Sequence, residues 1–218
     1  MNIIFLAPPL AGKGTQASII SNKYNIPAIS FGDLLREEVD KKTELGNYIY
    51  NLQTKGLLVD DSIVIEMLKK RLSKSDCSNG YILDGYPRNI NQANSYYELL
   101  NEMNKKIDIV IFLNPPFNEI EKRVLGRISC PNCKRTYNEN IEFLKPKRQG
   151  LCDECNSSLV RRSDDNLSSY KKRYDVYIES TLPLVDFYKE RNVLYEINDT
   201  DINSVTSKII NIIEAKND

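Results

Sequence analysis

Hydrophobic residues follow two alternating patterns along the chain. Short apolar runs rich in Ile, Val and Tyr end at turn residues, which is typical of buried β-strands. These runs are residues 3–7, 81–86, 107–114 and 193–198. In residues 63–72 and 202–213, apolar side chains recur every three or four positions, as in helices that bury one face. Strands that alternate with helices predict a parallel sheet covered by helices.

Two regions interrupt this alternation. Residues 30–60 have a helical pattern without a strong strand, and residues 128–163 are polar, hold most of the cysteines and lack a long periodic run. Both are predicted to be insertions that project from the α/β core. A third irregularity is Pro183, which lies in the helical stretch 167–190 and is predicted to kink it.

Composition narrows the function classes. The chain has 218 residues, 30 basic and 30 acidic side chains, and no histidine. Zero net charge argues against a protein that mainly binds nucleic acid or an anionic membrane. The apolar runs are too short to span a bilayer, and no basic leader precedes the first one, so we expect a cytoplasmic protein. Without histidine, a metal site must use thiolates or carboxylates.

The first apolar run leads into the segment PPLAGKGTQASII, which has the strand, loop and helix order of a phosphate-binding P-loop. In such a loop, backbone N–H groups and a helix N-terminus cradle phosphate oxygens while a lysine neutralises them. Lys13 is the candidate cation and Thr15 a candidate hydroxyl near the phosphates or magnesium. The strict pattern is not matched, because Ala7 replaces its first glycine and Gly14 separates Lys13 from Thr15. The alternative is a plain strand-to-helix turn.

Four cysteines form two C-x-x-C pairs. Cys130 and Cys133 are followed, after 18 intervening residues, by Cys152 and Cys155, a spacing typical of a zinc ribbon. Two disulfides are the competing interpretation, but a cytoplasmic location would keep them reduced. Four thiolates leave no open position for water, so the metal would be structural and would stiffen a small polar lid. Cys77 lies outside the pattern and is expected to be a free thiol.

Further sequence motifs are distributed over essentially the whole chain. They are AGKGTQA (11–17), SFGDLLRE (30–37), KGLLVDD (55–61), LDGYPRNINQA (83–93), RVLGR (123–127), CPNCKRTYN (130–138), CDEC (152–155), RRSDDN (161–166) and PLVDFY (183–188). In this order they resemble the adenylate kinases, in the long form whose lid holds a metal in many bacterial members.

The resemblance implies the α/β fold of P-loop nucleoside monophosphate kinases, with a parallel five-stranded sheet flanked by helices. The implied division has a core of residues 1–29, 60–126 and 164–218, an NMP-binding insertion at 30–59 and a zinc-ribbon-like lid at 127–163. The implied reaction is reversible transfer of the γ-phosphoryl group of MgATP to AMP, giving two ADP. Its cofactors would be Mg²⁺ with ATP and a structural Zn²⁺, and the family is expected to be monomeric.

The resemblance also assigns roles to individual residues. The implied catalytic residues are Lys13, Asp84, Arg88, Arg127, Arg162 and Arg173. The implied ATP contacts are Leu10, Ala11, Gly12, Lys13, Gly14, Thr15, Arg123, Arg127, Thr136, Tyr137 and Asp201. The implied AMP contacts are Phe31, Arg36, Leu57, Leu58, Val59, Gly85, Tyr86, Pro87, Arg88, Gln92, Arg162 and Arg173. Arginines suit this reaction, because a planar guanidinium binds phosphate bidentately and keeps its charge.

Physical arguments support three of these assignments, and two of the three have an alternative. Asp84 ends an apolar strand, where an unpaired carboxylate is costly, so it is expected to hold magnesium through water; otherwise it accepts a backbone N–H. Gln92 carries a donor and an acceptor, which can read an adenine edge. Arg123 and Arg127 share a helix face and repel one another unless an anion lies beside them; otherwise they are solvated surface charges.

Several positions depart from the family pattern. Ala7 and Leu10 stand where most members have glycine, and a positive φ at Leu10 would cost about 1 kcal/mol or more. Phe31 replaces the usual threonine beside the AMP base, whereas Leu57 replaces a common lysine in a segment that acts through its backbone. The alternatives are a kinase for another nucleoside monophosphate, a weakened nucleotide-binding homologue, or a nucleic-acid binder that uses the basic residues of the zinc ribbon.

Overall fold

The structure is a computed structural model that describes residues 1–54, 59–161 and 166–217. Its strands are β1 (Asn2–Leu6), β2 (Ala28–Ser30), β3 (Tyr81–Asp84), β4 (Ile109–Leu113), β5 (Arg127–Ser129), β6 (Thr136–Asn138) and β7 (Leu194–Ile197). Five of them form one parallel sheet in the order β2-β3-β1-β4-β7. The predicted parallel sheet and its four apolar strands are confirmed. The fifth strand, β2, has three residues and one fully buried side chain, too short a run to be recognised by its hydrophobic pattern.

Helices cover both faces of this sheet. They are α1 (Lys13–Tyr24), α2 (Phe31–Asp40), α3 (Glu44–Thr54), α4 (Asp61–Leu72), α5 (Ile90–Glu102), α6 (Phe117–Gly126), α7 (Leu167–Val176), α8 (Leu184–Lys189) and α9 (Ile202–Asn217). The two helices predicted from periodicity are confirmed as α4 and α9. Short 3₁₀ turns lie at Ser75–Cys77 and Glu142–Leu144.

The helical stretch around Pro183 is interrupted rather than gently bent. A π-helical segment, Tyr177–Thr181, follows α7 directly, and Pro183 stands at the start of α8. A proline is tolerated there because the first N–H groups of a helix have no partner within that helix. The predicted kink is therefore a break between α7 and α8.

Side chains of β1 show how the sheet divides the core. Ile3 and Phe5 belong to one buried cluster, together with apolar residues of α1 and α9. Ile4 and Leu6 belong to the other, with residues of α4, α5 and α8. Successive strand residues point to opposite faces, so a strand covered on both sides is apolar throughout. This explains why β1 appears in the sequence as an unbroken apolar run.

The two irregular regions hold the remaining elements. Helices α2 and α3 pack on each other directly after β2, and the Ser30 hydroxyl accepts the Asp33 N–H to start α2. Strands β5 and β6 pair antiparallel in the cysteine-rich region. The division into core, insertion and lid at the boundaries given above stays a prediction. Within the described residues, no helix is long and apolar enough to cross a membrane.

Candidate active site

The loop between β1 and α1 has two residues in the left-handed region. Gly12, at the N-cap of α1, has φ 100°, and a β-carbon there would lie 3.3 Å from Arg123 Nη1. Leu10 has φ 66°, so it adopts the positive φ that is expected to strain the backbone at this position. For a residue with a β-carbon this conformation costs about 1–2 kcal/mol. The Leu10 side chain packs against a small cluster on α6 and α7 that includes Val124 and Tyr170, which offsets part of that cost.

Lys13 is the first residue of α1 and folds back across this loop. Its Nζ donates to the carbonyl oxygens of Ala7 at 3.0 Å and Pro8 at 3.2 Å. Burial lowers the pKa of the Lys13 ammonium, while the carboxylate of Asp84 opposes that shift. The ammonium therefore lies in a poorly hydrated position at the N-terminus of α1, where the helix dipole also favours an anion.

Arginines from separate elements surround Lys13 and Asp84. Burial also lowers the pKa of the Arg88 guanidinium, with further contributions from neighbouring arginines. The arginines that interact with Lys13 of α1 are Arg88 after β3, Arg127 of β5 and Arg173 of α7. Arg36 of α2 interacts with Arg88 and is ion-paired with Asp33 Oδ1. Like charges brought together at partly buried positions repel, so a polyanion between them would be strongly favoured.

Asp84 supplies a carboxylate to this cluster. It is the last residue of β3 and pairs in register with Phe5 on one side and Ser30 on the other. A β-carbon placed on Gly14 would lie 3.9 Å from its Oδ2, so the carboxylate faces the first turn of α1. The carboxyl ends of parallel strands form the ligand-binding edge of such sheets, and Asp84 lies at that edge.

The predicted AMP residues lie beside this edge. Phe31 is 4% exposed, and its ring centroid is 5.5 Å from that of Tyr86, so the two rings pack in the core. Gly85 has φ 82°, and the Tyr86–Pro87 peptide bond is cis. Val59 is likewise buried. Phe31 is thus buried, with its ring packed on that of Tyr86 at an interplanar angle of 45°.

Gln92 lies in the first turn of α5 and is 4% exposed. Its Oε1 accepts the backbone N–H of Arg88 at 2.9 Å, and its Nε2 donates to Asp61 Oδ1 at 2.8 Å. The Tyr86 hydroxyl donates to the Gln92 carbonyl at 3.1 Å. Sequence reasoning missed Asp61, because a carboxylate at the start of a helix looks like an ordinary N-terminal acid.

The predicted ATP residues beyond the loop fall into two groups. Arg123 joins the phosphate loop to the start of α9, because it donates to the carbonyls of Ala11 at 3.1 Å and Thr200 at 3.2 Å. Asp201 is exposed, and its Oδ1 accepts the Ser204 N–H at 2.8 Å. In the lid, Thr136 is exposed, whereas Tyr137 is buried.

The four lid cysteines converge. Their Sγ atoms all lie within 4.8 Å of one another, and the Cys130–Cys155 and Cys133–Cys152 sulfur pairs are 3.4 Å apart. A disulfide bond measures about 2.05 Å, so these are free thiols that could hold a metal ion. The Tyr137 hydroxyl lies 3.4 Å from Cys152 Sγ and accepts the Asp153 N–H at 2.8 Å, which ties the tyrosine into this cluster.

Comparison with known proteins identifies the family to which the chain belongs. The family model described as adenylate kinase matches residues 5–193. The adenylate kinase of Archaeoglobus fulgidus is 46% identical over 98% of both chains. The adenylate kinase of Clostridium tetani is 43% identical over 100% of both chains. That of Kosmotoga olearia is also 43% identical, over 98% of this chain and 99% of the relative. The chain belongs to the adenylate kinase family.

Membership in the adenylate kinase family makes the chain a phosphotransferase, a nucleoside monophosphate kinase. The predicted family and fold are thereby confirmed, despite Ala7 and Leu10 in the phosphate loop. The roles of individual site residues stay predictions. Leu57, Leu58 and Arg162 are among them and lie outside the described residues.

Proposed function

We propose that the chain catalyses reversible transfer of the γ-phosphoryl group of MgATP to AMP, which yields two molecules of ADP. The observation that carries this proposal is the cluster of Lys13, at the N-terminus of α1, with three arginines that interact with it. A single phosphate would not need so many fixed cations. Two nucleotides whose phosphates meet end to end would, because their combined negative charge is large.

Phosphoryl transfer depends on positioning and on charge stabilisation rather than on covalent help from the protein. In our proposal, the N–H groups of α1 and the Lys13 ammonium bind the donor phosphates. Arg36 and Arg88 bind the phosphate of AMP, and Arg127 and Arg173 neutralise the oxygens of the transferred group. Because Lys13 is partly buried, its attraction for phosphate is stronger than that of a fully exposed cation.

Magnesium would act beside Asp84. The oxygens of Asp84 and Thr15 are hard ligands of the kind that Mg²⁺ prefers, and Asp84 faces the first turn of α1. When bound, the ion would neutralise phosphate charge. The residues of the chain would hold it through its water shell and orient the nucleotide.

Zinc would occupy the cysteine cluster. A tetrahedron with zinc–sulfur distances of about 2.3 Å has sulfur–sulfur edges of about 3.8 Å. The observed separations, from 3.4 Å to at most 4.8 Å, fit this size. Hydrogen bonds with Ser157 lower the pKa of Cys155 to about 5, whereas burial raises the pKa of Cys133, so a metal would have to displace the Cys133 proton on binding. The ion would be structural, because four protein ligands leave no open position.

The proposal includes a cytoplasmic monomer that binds neither nucleic acid nor membranes. The zero net charge of the chain supports the part of this proposal that concerns nucleic acid and membranes. A second acceptor is worth testing, since Phe31 offers no hydroxyl to a base and its ring packs on Tyr86.

The deciding experiment measures nucleoside diphosphate production from MgATP with AMP, UMP, CMP or GMP, on protein of known zinc content. We expect AMP to give the highest kcat/KM. A higher value with UMP or CMP would transfer the acceptor assignment to a pyrimidine. ATP binding without turnover of any acceptor would contradict the kinase proposal and favour a weakened nucleotide-binding homologue.

A further inference from the structure

The side-chain amide of Gln92 is held between two groups that each hydrogen-bond in one direction. The backbone N–H of Arg88 can only donate, and it reaches Gln92 Oε1 at 2.9 Å. The carboxylate of Asp61 accepts, and it receives the Gln92 Nε2 hydrogen at 2.8 Å. The partners therefore fix which end of the amide is oxygen and which is nitrogen, a choice that side-chain shape alone leaves open.

If the Gln92 amide were rotated by 180°, neither of these two hydrogen bonds could form. Its NH₂ group would face the N–H of Arg88, and its oxygen would face the Asp61 carboxylate. Gln92 is 4% exposed, so water cannot easily replace the lost hydrogen bonds. Mismatched polar groups at buried positions are unfavourable, and here both ends of the amide would be affected.

The fixed amide keeps a defined recognition pattern. Among the described residues, it uses one of its two amide hydrogens and one of its two oxygen lone pairs. The remaining lone pair and hydrogen can pair with adenine, which presents an N6–H donor beside a ring-nitrogen acceptor. Guanine in the same position presents O6 and N1–H in the reverse order. It would place acceptor against acceptor and donor against donor.

We propose that Asp61 is a positioning residue that makes the acceptor site prefer adenine over guanine, because it fixes the orientation of the Gln92 amide. The inference rests on the proposed function, since it assumes that the base of AMP contacts Gln92. Asp61 acts through Gln92 rather than on the substrate. The same amide binds the backbone of Arg88, so the group that reads the base also braces the arginine proposed to bind the AMP phosphate.

Asp61 can be changed without disturbing the core. It is exposed, at the first residue of α4. Asp60 is a matched neighbour: it is also exposed, but its Oδ2 accepts the Tyr48 hydroxyl at 2.7 Å and does not contact Gln92 in the described structure. Replacing either with Asn removes one charge and preserves shape. Only Asp61→Asn supplies an NH₂ group that can satisfy a rotated Gln92.

The experiment compares wild type, Asp61→Asn and Asp60→Asn. For each, kcat/KM is measured with MgATP and either AMP or GMP, and AMP and GMP binding is measured by titration calorimetry. We expect Asp61→Asn to lower the AMP-to-GMP ratio about tenfold, a change of about 1.4 kcal/mol, through KM and Kd rather than kcat. The NH₂ group introduced by Asp61→Asn could donate to the oxygen of a rotated Gln92 amide, whereas the mismatch between the rotated NH₂ group and the Arg88 N–H would remain. Asp60→Asn should keep the wild-type ratio.

An unchanged ratio in Asp61→Asn, with normal AMP turnover, would overturn the inference. An equal fall in Asp60→Asn would also overturn it, because a general loss of negative charge would then explain the effect. These results differ from failure of the proposed function, in which the wild-type protein itself would not phosphorylate AMP. Asp61→Ala provides a second variant: it frees one end of the amide and should shift the ratio in the same direction.

Discussion

The central sheet and the lid reach stability by different means. The sheet separates two large clusters of buried side chains, which include Phe5, Tyr81 and Tyr96. The described lid has one small cluster, whose fully buried members are Ile128, Cys130, Tyr137 and Cys152. Two of those four are candidate metal ligands. Burial of apolar surface can stabilise the sheet, whereas so small a cluster needs a cross-link such as a metal ion.

The proposed active site depends on both regions. Lys13 and Asp84 are fixed by the sheet and the helix that follows β1, whereas Arg127 belongs to a lid strand. A change confined to the lid should therefore alter catalysis while the sheet stays folded. A change at the phosphate loop should abolish catalysis while both regions stay folded.

Lys13→Met should lower kcat about 10³-fold with little effect on the unfolding midpoint, because it removes a cation from the transferring phosphate and keeps the side-chain length. Steady-state kinetics and thermal unfolding check both parts. Lys23→Met, in the last turn of the same helix, is the matched control and should behave as wild type. Near-normal turnover in Lys13→Met would contradict the phosphate-loop assignment.

Cys152→Ser should unfold the lid locally. Loss of a metal ligand should increase hydrogen exchange of backbone amides in residues 127–161 at least 100-fold, or about 2.7 kcal/mol, with little change in the sheet. A strong chelator added to wild type should have the same effect. Cys77→Ser, which changes a buried thiol of the core, should leave lid exchange unchanged. Equal exchange in all samples would argue against a structural metal.

Gly126→Ala should weaken the junction between core and lid. A β-carbon there would lie 2.1 Å from Oδ1 of Asn138, a buried side chain that donates to the Arg123 carbonyl at 3.0 Å. We expect about 2 kcal/mol of destabilisation in denaturant unfolding, because the tight contact must shift. Gly32→Ala, whose β-carbon would meet the flexible Arg36 side chain at 3.4 Å, should change stability by less than about 1 kcal/mol.

Leu10 gives the smallest predicted effect. Leu10→Ala keeps the strain of a positive φ and loses the packing against Val124 and Tyr170, so it should destabilise the protein by about 1–2 kcal/mol. Leu10→Gly loses the same packing but relieves the strain. The glycine variant should therefore be about 1 kcal/mol more stable than the alanine variant in denaturant unfolding. Equal stability would mean that the loop relaxes without strain.

Sequence periodicity predicted the long elements better than the short ones. Strand β4 has a long enough apolar run, and helix α9 enough apolar residues at three- and four-residue spacing, for each to be predicted from the sequence. Strand β2 has three residues, and the π-helical segment at Tyr177–Thr181 has no distinct pattern of its own. Both depend on neighbouring elements: β2 pairs with β3, and the π-helical segment joins α7, which packs on α6, to α8, which packs on α5.

The sequence by itself determined the apolar strands, the phosphate loop before α1, the paired cysteines and a chemistry without histidine. These depend on local order along the chain, which residue type and spacing record directly. Tertiary structure decided which arginines meet Lys13, that Leu10 has a positive φ, that Tyr137 is buried in the lid, and that Asp61 orients Gln92. Contacts between distant segments follow from how whole elements pack, and no local pattern encodes that packing.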